Sequence, residues 1–135
     1  MKNSKLLKAY LILAGALLMF IGGATLFAPL AMKGGAGIDL EGNISVLNDV
    51  RAASALLLSL GLISFLGAII KRLIYTSSLI SFITLLALGL GRIISLVSDG
   101  MPVDGLVKAT GLEMILGLLG AAFFLVFKQK HNQQH

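Results

Sequence analysis

The chain of 135 residues contains no cysteine and carries very little charge. Without cysteine, disulfides, thiolate metal sites and thiol redox chemistry are excluded. Charged residues make up 13% of the sequence, whereas a soluble domain usually carries about 25%. A water-soluble core is therefore a poor explanation for a chain in which 57% of the residues are hydrophobic. Long apolar runs predict an integral membrane protein, and the length suits one compact bundle.

Patterns typical of enzymes and cofactor sites are also missing. The sequence contains no glycine-rich phosphate loop, no zinc-ligand spacing and no nucleophile–base pair. Its two histidines, His131 and His135, lie in a polar C-terminal tail and indicate no metal site. We therefore expect a non-enzymatic protein that uses no cofactor.

Four apolar runs are each close to the roughly 20 residues that a bilayer core requires. They predict one membrane domain over 1–135, with spans over about 9–31, 50–70, 77–97 and 109–127. The first run follows a basic start, as a signal peptide does, but it is longer than the roughly 7–15 residues of a signal core. We expect a retained first span, with a cleaved signal as the alternative. The external loop is 32–49, where the mixed segments 38–41 and 44–47 suggest an interfacial turn or short helix.

The basic residues are distributed unevenly between the two ends of these spans. One side carries Lys2, Lys5, Lys8, Lys71, Arg72, Lys128 and Lys130. The other side has three basic residues, diluted by acidic ones: Lys33, Arg51, Lys108, Asp39, Glu41, Asp49, Asp99 and Asp104. The positive-inside rule therefore predicts an all-α four-helix membrane bundle with both termini in the cytoplasm. The net charge of +5 then indicates contact with anionic lipid and no nucleic-acid partner.

Small and polar residues in the spans suggest how the helices meet. Gly15 and Gly22 are seven residues apart, so they share a helix face and would let a neighbouring helix approach closely. Asn48 and Asp49 precede the second apolar run, where their side-chain oxygens are expected to cap the helix start.

Two ionisable residues lie deeper than the others, Arg92 in the third span and Glu113 in the fourth. A charged side chain at a helix centre costs about 2.5–3.5 kcal/mol on insertion scales, and it normally faces the bundle interior with a partner. At about 1.5 Å per residue, Arg92 lies roughly 8 Å and Glu113 roughly 6 Å inside the outer ends of their helices. We therefore predict that the two side chains pair, directly or through a water.

Further polar residues are expected near this pair. Ser95 and Asp99 follow Arg92 at spacings of three and four, which places all three on one helix face. Asp49 and Arg51 are expected at the mouth of the second span. One interpretation is an outward-facing pocket that binds an anionic or polar headgroup through Arg51 and Arg92. The alternatives are an ion pair that only fixes helix register, and a small transporter subunit in which Glu113 is the coupled carboxylate.

These polar strings also carry a resemblance. Leu47-Asn-Asp-Val-Arg-Ala52, Gly91-Arg-Ile-Ile-Ser95 with Asp99-Gly100, and Glu113 resemble an uncharacterised bacterial family of small four-span membrane proteins, grouped as a domain of unknown function. The resemblance covers about 11–127. It implies a bacterial inner-membrane protein without an established activity, and its polar signature falls on Asn48, Asp49, Arg51, Arg92, Ser95, Asp99 and Glu113. The expected partners are membrane lipids, a second copy of the chain or another membrane protein.

Overall fold

The computed structural model of the chain describes residues 2–133, with side chains described for residues 5–129. This part contains a 3₁₀ turn, Lys71–Leu73, and five α-helices: α1 (Lys2–Phe27), α2 (Pro29–Gly35), α3 (Ile44–Ile69), α4 (Ile74–Asp99) and α5 (Asp104–Gln133). All of these helices except α2 are long and apolar enough to cross a membrane. The predicted all-α four-helix membrane bundle is confirmed. The side chains of Lys2, Lys130 and His131, and the whole of His135, lie outside the described residues.

The first span ends earlier than predicted because of a proline. Pro29 has no N–H to donate to the helix ladder, and a proline also disfavours helical geometry in the residue before it. Ala28 accordingly leaves the helical region, with φ −135° and ψ 61°, and the chain resumes as α2 with Pro29 in its first turn. The short helix expected within 38–47 therefore lies earlier, over Pro29–Gly35.

The second span begins at Ile44, well before the predicted position 50. Its cap is Asn43, whose Oδ1 accepts a hydrogen bond from the Val46 N–H at 3.1 Å. The prediction that Asn48 and Asp49 cap this helix is wrong. Both lie inside its first turns with exposed side chains, since Asn43 is an equally favoured cap and the residues after it continue the helix.

Glycines bring α1 and α3 into backbone contact. A Cβ added at Gly15 would lie 2.7 Å from the Phe65 nitrogen, and one at Gly22 would lie 2.5 Å from the Leu58 nitrogen. Gly61 faces α1 in the same way, 2.6 Å from the Met19 nitrogen. The close approach predicted from the spacing of Gly15 and Gly22 is confirmed, and the pairing shows that α1 and α3 are antiparallel.

Buried hydroxyl groups connect α3 to α4. Ser77 Oγ donates to the Ile63 carbonyl at 2.7 Å. Ser81 Oγ lies 2.6 Å from Ser64 Oγ and 2.6 Å from the Ser77 carbonyl, and its single proton can serve either acceptor. Every buried side-chain nitrogen and oxygen in the described part of the chain has a hydrogen-bond partner.

A contact between α1 and α5 closes the bundle. Tyr10 donates its hydroxyl proton to the Leu116 carbonyl at 2.9 Å, and Gly120 leaves room for the tyrosine ring. Tyr10 and Leu116 share a buried cluster with Leu11 and Leu85. We call the end of the bundle that carries α2 and the turn 100–103 the loop end, and the opposite end the terminal end.

Candidate functional site

The predicted pair of Arg92 and Glu113 is present near the loop end. Gly89 lies against Met114 and Gly117 against Leu86, so α4 and α5 run close together below the pair. The Arg92 Nε–H donates to Glu113 Oε2 at 2.9 Å, and Nη2 donates to Oε1 at 3.3 Å. This bidentate hydrogen bonding orients both side chains and confirms the predicted pairing.

The two partners are unequally exposed. The Arg92 side chain is 33% accessible, whereas the Glu113 side chain is 13% accessible. Glu113 occupies two of the five N–H groups of the guanidinium. The remaining edge of Arg92 is therefore available to an acceptor, while the carboxylate is held against the helices.

Lys33 of α2 adds a second positive charge to this site. The segment after α2 crosses to the turn between α4 and α5, where Gly37 adopts φ +85° and packs against Val103. Burial lowers the pKa of Lys33 below its ordinary value, and the positive charge of Arg92 lowers it further. The ion pair present among the described residues is that of Arg92 with Glu113. Lys33 thus lies near Arg92 with no carboxylate of its own in that part of the chain.

We define the loop-end cluster as Lys33, Arg92 and Glu113. Sequence reasoning did not select Lys33, which looked like an ordinary flanking lysine. Pro29 could have indicated the position of Lys33, because a helix break four residues before Lys33 turns the following segment across the bundle. Two cations and one carboxylate leave this cluster with one uncompensated positive charge.

Arg51 contacts a different part of the bundle from the one expected. Its Nη1 donates to the Leu26 carbonyl at 2.5 Å. The last carbonyl groups of a helix have no donor within that helix, and α1 ends at Phe27. A cation near a helix C-terminus is also favoured by the helix dipole. Arg51 therefore caps α1, and its part in ligand binding stays a prediction.

The remaining predicted site residues are exposed around the loop end. Ser95 Oγ donates to Asp99 Oδ2 at 2.9 Å, as expected for residues on one face of α4. Asn48 and Asp49 are exposed on α3. Within the described part of the chain, none of these four side chains forms a hydrogen bond or an ion pair with Arg92.

The described part of the chain also has two cavities that bear on ligand binding. An apolar cleft of about 350 Å³ separates α3 from α4 and is lined by Leu56, Leu57, Leu60, Ile83, Thr84, Ala87 and Leu88. A depression of about 250 Å³ at the loop end is lined by Leu30, Gly34, Gly37, Ile38, Asp39, Leu40 and Glu41. Among the described residues, no group of three or more histidines and carboxylates could hold a metal ion.

Comparison with known proteins identifies the family but not an activity. No curated protein matches this sequence, and no solved structure matches this fold. The model of one family, described as a domain of unknown function (DUF4345), matches residues 6–124. That range contains α3 and α4, most of α1 and α5, and the loop-end cluster. The chain therefore belongs to the DUF4345 family of domains of unknown function.

Proposed function

We propose that this membrane protein is not an enzyme and binds an anionic group through Lys33 and Arg92 of the loop-end cluster. The observation that carries the proposal is the charge imbalance of the cluster. Glu113 compensates Arg92, while Lys33 is partly buried and its pKa is lowered by this burial and by the charge of Arg92. An anion placed between the two cations would relieve this repulsion.

The chemistry of the two cations suits a phosphate group. A guanidinium offers paired N–H donors in a rigid plane, and an ammonium acts as a compact point charge. Glu113 fixes the Arg92 guanidinium through one edge, so the other edge requires little further ordering when it binds. Phosphate oxygens accept such charge-assisted hydrogen bonds readily.

We also propose that the loop end faces away from the cytoplasm of a bacterial cell. The positive-inside rule supports this orientation, because Lys71 and Arg72 lie in the turn at the terminal end. In the inner membrane the loop-end cluster would then lie at the level of the outer-leaflet headgroups.

An ion pair that only fixes helix register is the competing interpretation. It is supported by the same two hydrogen bonds, since a buried polar pair can specify an arrangement without adding stability. This interpretation leaves Lys33 without a role. The two interpretations therefore differ most clearly in what Lys33 does.

Binding of a soluble phosphate monoester tests the proposal. Glycerol phosphate would be titrated into the purified protein in phosphatidylcholine nanodiscs, with binding followed by calorimetry. We expect saturable binding that weakens at least tenfold in Lys33→Gln and in Arg92→Gln. Lys33 makes no ion pair within the described residues, so its replacement should not disturb folding.

The matched control is Lys108→Gln, which removes an exposed lysine from the first turns of α5 at the same end of the bundle. It should leave the affinity unchanged. If Lys108→Gln weakens binding as much as Lys33→Gln does, the attraction is a general surface effect. Absence of binding to the natural chain would also overturn the proposal and favour the register interpretation.

A further inference from the structure

We infer that the anionic group is the phosphate of a membrane phospholipid whose acyl chain occupies the apolar cleft between α3 and α4. This inference rests on the proposed function, since it uses Lys33 and Arg92 to hold the headgroup. It adds the apolar cleft as a second binding surface and a phospholipid as the ligand. Either addition can be wrong even if the loop-end cluster binds an anion.

The cleft has the lining and the size that an acyl chain needs. Six of its seven lining residues are aliphatic, and the seventh is Thr84. Leu56, Ile83 and Ala87 are exposed at its opening, so the cleft faces outward from the bundle. Its volume of about 350 Å³ compares with roughly 30 Å³ for one water molecule in the liquid. Water gains little from so apolar a lining, whereas lipid tails are as apolar as leucine.

The cleft leads toward the loop-end cluster along α4. Leu88, the lining residue nearest the loop end on this helix, precedes Arg92 by one helical turn. Residues four apart lie on nearly the same face, about 6 Å apart along the axis. The loop-end tip of the cleft on α4 therefore lies one helical turn from the backbone of Arg92, whose guanidinium contacts Glu113 on α5.

An amphipathic anion fits both surfaces at once. A free phosphate group would complement the charge of Lys33 and Arg92 and leave the cleft unused. A helix from a second copy of the chain would fill the cleft and leave the cluster charge uncompensated. A phospholipid places its negative charge at the two cations and its tail against Leu57, Leu60 and the facing residues of α4.

Native mass spectrometry after gentle detergent extraction tests this arrangement. The protein would be reconstituted in membranes of phosphatidylcholine with phosphatidylglycerol, then extracted and measured for bound lipid. We expect one retained phosphatidylglycerol per chain. Ala87→Phe should reduce its occupancy at least fivefold, because the ring enters the cleft. The matched control is Ala16→Phe, which places the same ring on an exposed position midway along α1 and should leave occupancy unchanged.

Binding of glycerol phosphate separates failure of this inference from failure of the proposed function. If the natural chain and Ala87→Phe bind glycerol phosphate equally and only the natural chain retains phosphatidylglycerol, the acyl-chain site is supported. If glycerol phosphate binds but retained lipid is the same in both variants, the cleft is not the acyl-chain site. If the natural chain forms a dimer that Ala87→Phe dissociates, a second copy occupies the cleft and the inference is wrong. If the natural chain binds neither glycerol phosphate nor phosphatidylglycerol, the proposed function is wrong as well.

Discussion

Arg92 and Glu113 join α4 to α5 through two parallel hydrogen bonds of 2.9 and 3.3 Å, and the arginine is the more exposed partner. The exposed edge of Arg92 can reach water or a headgroup. The oxygens of Glu113 depend on Arg92, because this side chain is mostly covered. Removing Arg92 therefore leaves the mostly buried carboxylate of Glu113 without a partner. Removing Glu113 leaves the more exposed guanidinium of Arg92, which can still bind water or a headgroup.

Replacing the two residues singly and together should reveal this asymmetry. We expect Arg92→Leu to lower the free energy of unfolding by about 1–3 kcal/mol, the usual cost of a buried group left without its partner. Glu113→Leu should cost less, and the double variant should unfold close to the natural chain because no charge remains unpaired. Reversible unfolding in mixed micelles would provide the three values.

The control for this series is Arg72→Leu, which removes an exposed arginine from the 3₁₀ turn at the terminal end. A double variant whose loss equals the sum of the single losses would contradict a coupled pair.

Gly22→Ala should destabilise the contact between α1 and α3. Its methyl group would lie 2.5 Å from the Leu58 nitrogen and 2.8 Å from the Ser54 carbonyl oxygen. Backbone atoms cannot rotate away, so the helices must separate. We expect a loss of about 1–3 kcal/mol, typical of overpacking, measured as a change in the unfolding free energy.

Gly111→Ala is the corresponding control, because an added methyl group there meets nothing within 4 Å. It should be neutral or stabilising, since alanine is favoured over glycine in helices by up to about 1 kcal/mol. If Gly22→Ala and Gly111→Ala lower the unfolding free energy equally, the close approach of α1 and α3 is not the reason that position 22 requires glycine.

Alanine substitution should distinguish the two asparagines at the start of α3. Asn43→Ala removes the acceptor for the Val46 N–H and should cost about 1 kcal/mol, the usual value for a helix cap. Asn48→Ala should change stability little, because that side chain is exposed within the helix. Thermal unfolding of the two variants would be compared, and a larger loss at Asn48 would locate the helix start later than Ile44.

The pKa of Lys33 should lie below its ordinary value of 10.5, because burial and the charge of Arg92 disfavour its protonated form. Between the lowered pKa and 10.5 the unfolded chain binds more protons than the folded one, so stability should rise with pH in that window. Bound glycerol phosphate should raise the pKa. Proton titration of ¹³C-methylated lysines would measure it, with Lys33→Gln assigning the signal. A pKa at or above 10.5 in the free protein would contradict the proximity of Arg92.

The features that followed from sequence are those that depend on position along a single helix. Neighbouring antiparallel spans placed Arg92 and Glu113 at one level, although α5 begins at Asp104 and Glu113 therefore lies farther from the helix start than predicted. The spacing of Gly15 and Gly22 similarly showed a shared face, although not that α3 would be the helix to occupy it.

The features that sequence reasoning missed depend on how connecting segments turn in space. Lys33 reaches the site only because the chain breaks before Pro29 and crosses to Val103. Asn43 and Asn48 both have cap chemistry, and local preference could not choose between them. Arg51 caps α1 because that helix stops beside it, which the longer predicted span concealed.

The hydrogen bond from Tyr10 to Leu116 has a consequence for biosynthesis. Tyr10 belongs to α1, and its acceptor follows 106 residues later in α5. Until α5 has been made, the phenol lacks this acceptor. The contact between α1 and α5 therefore forms only after α2, α3 and α4 have been made, so this side of the bundle is closed later than the contact between α1 and α3.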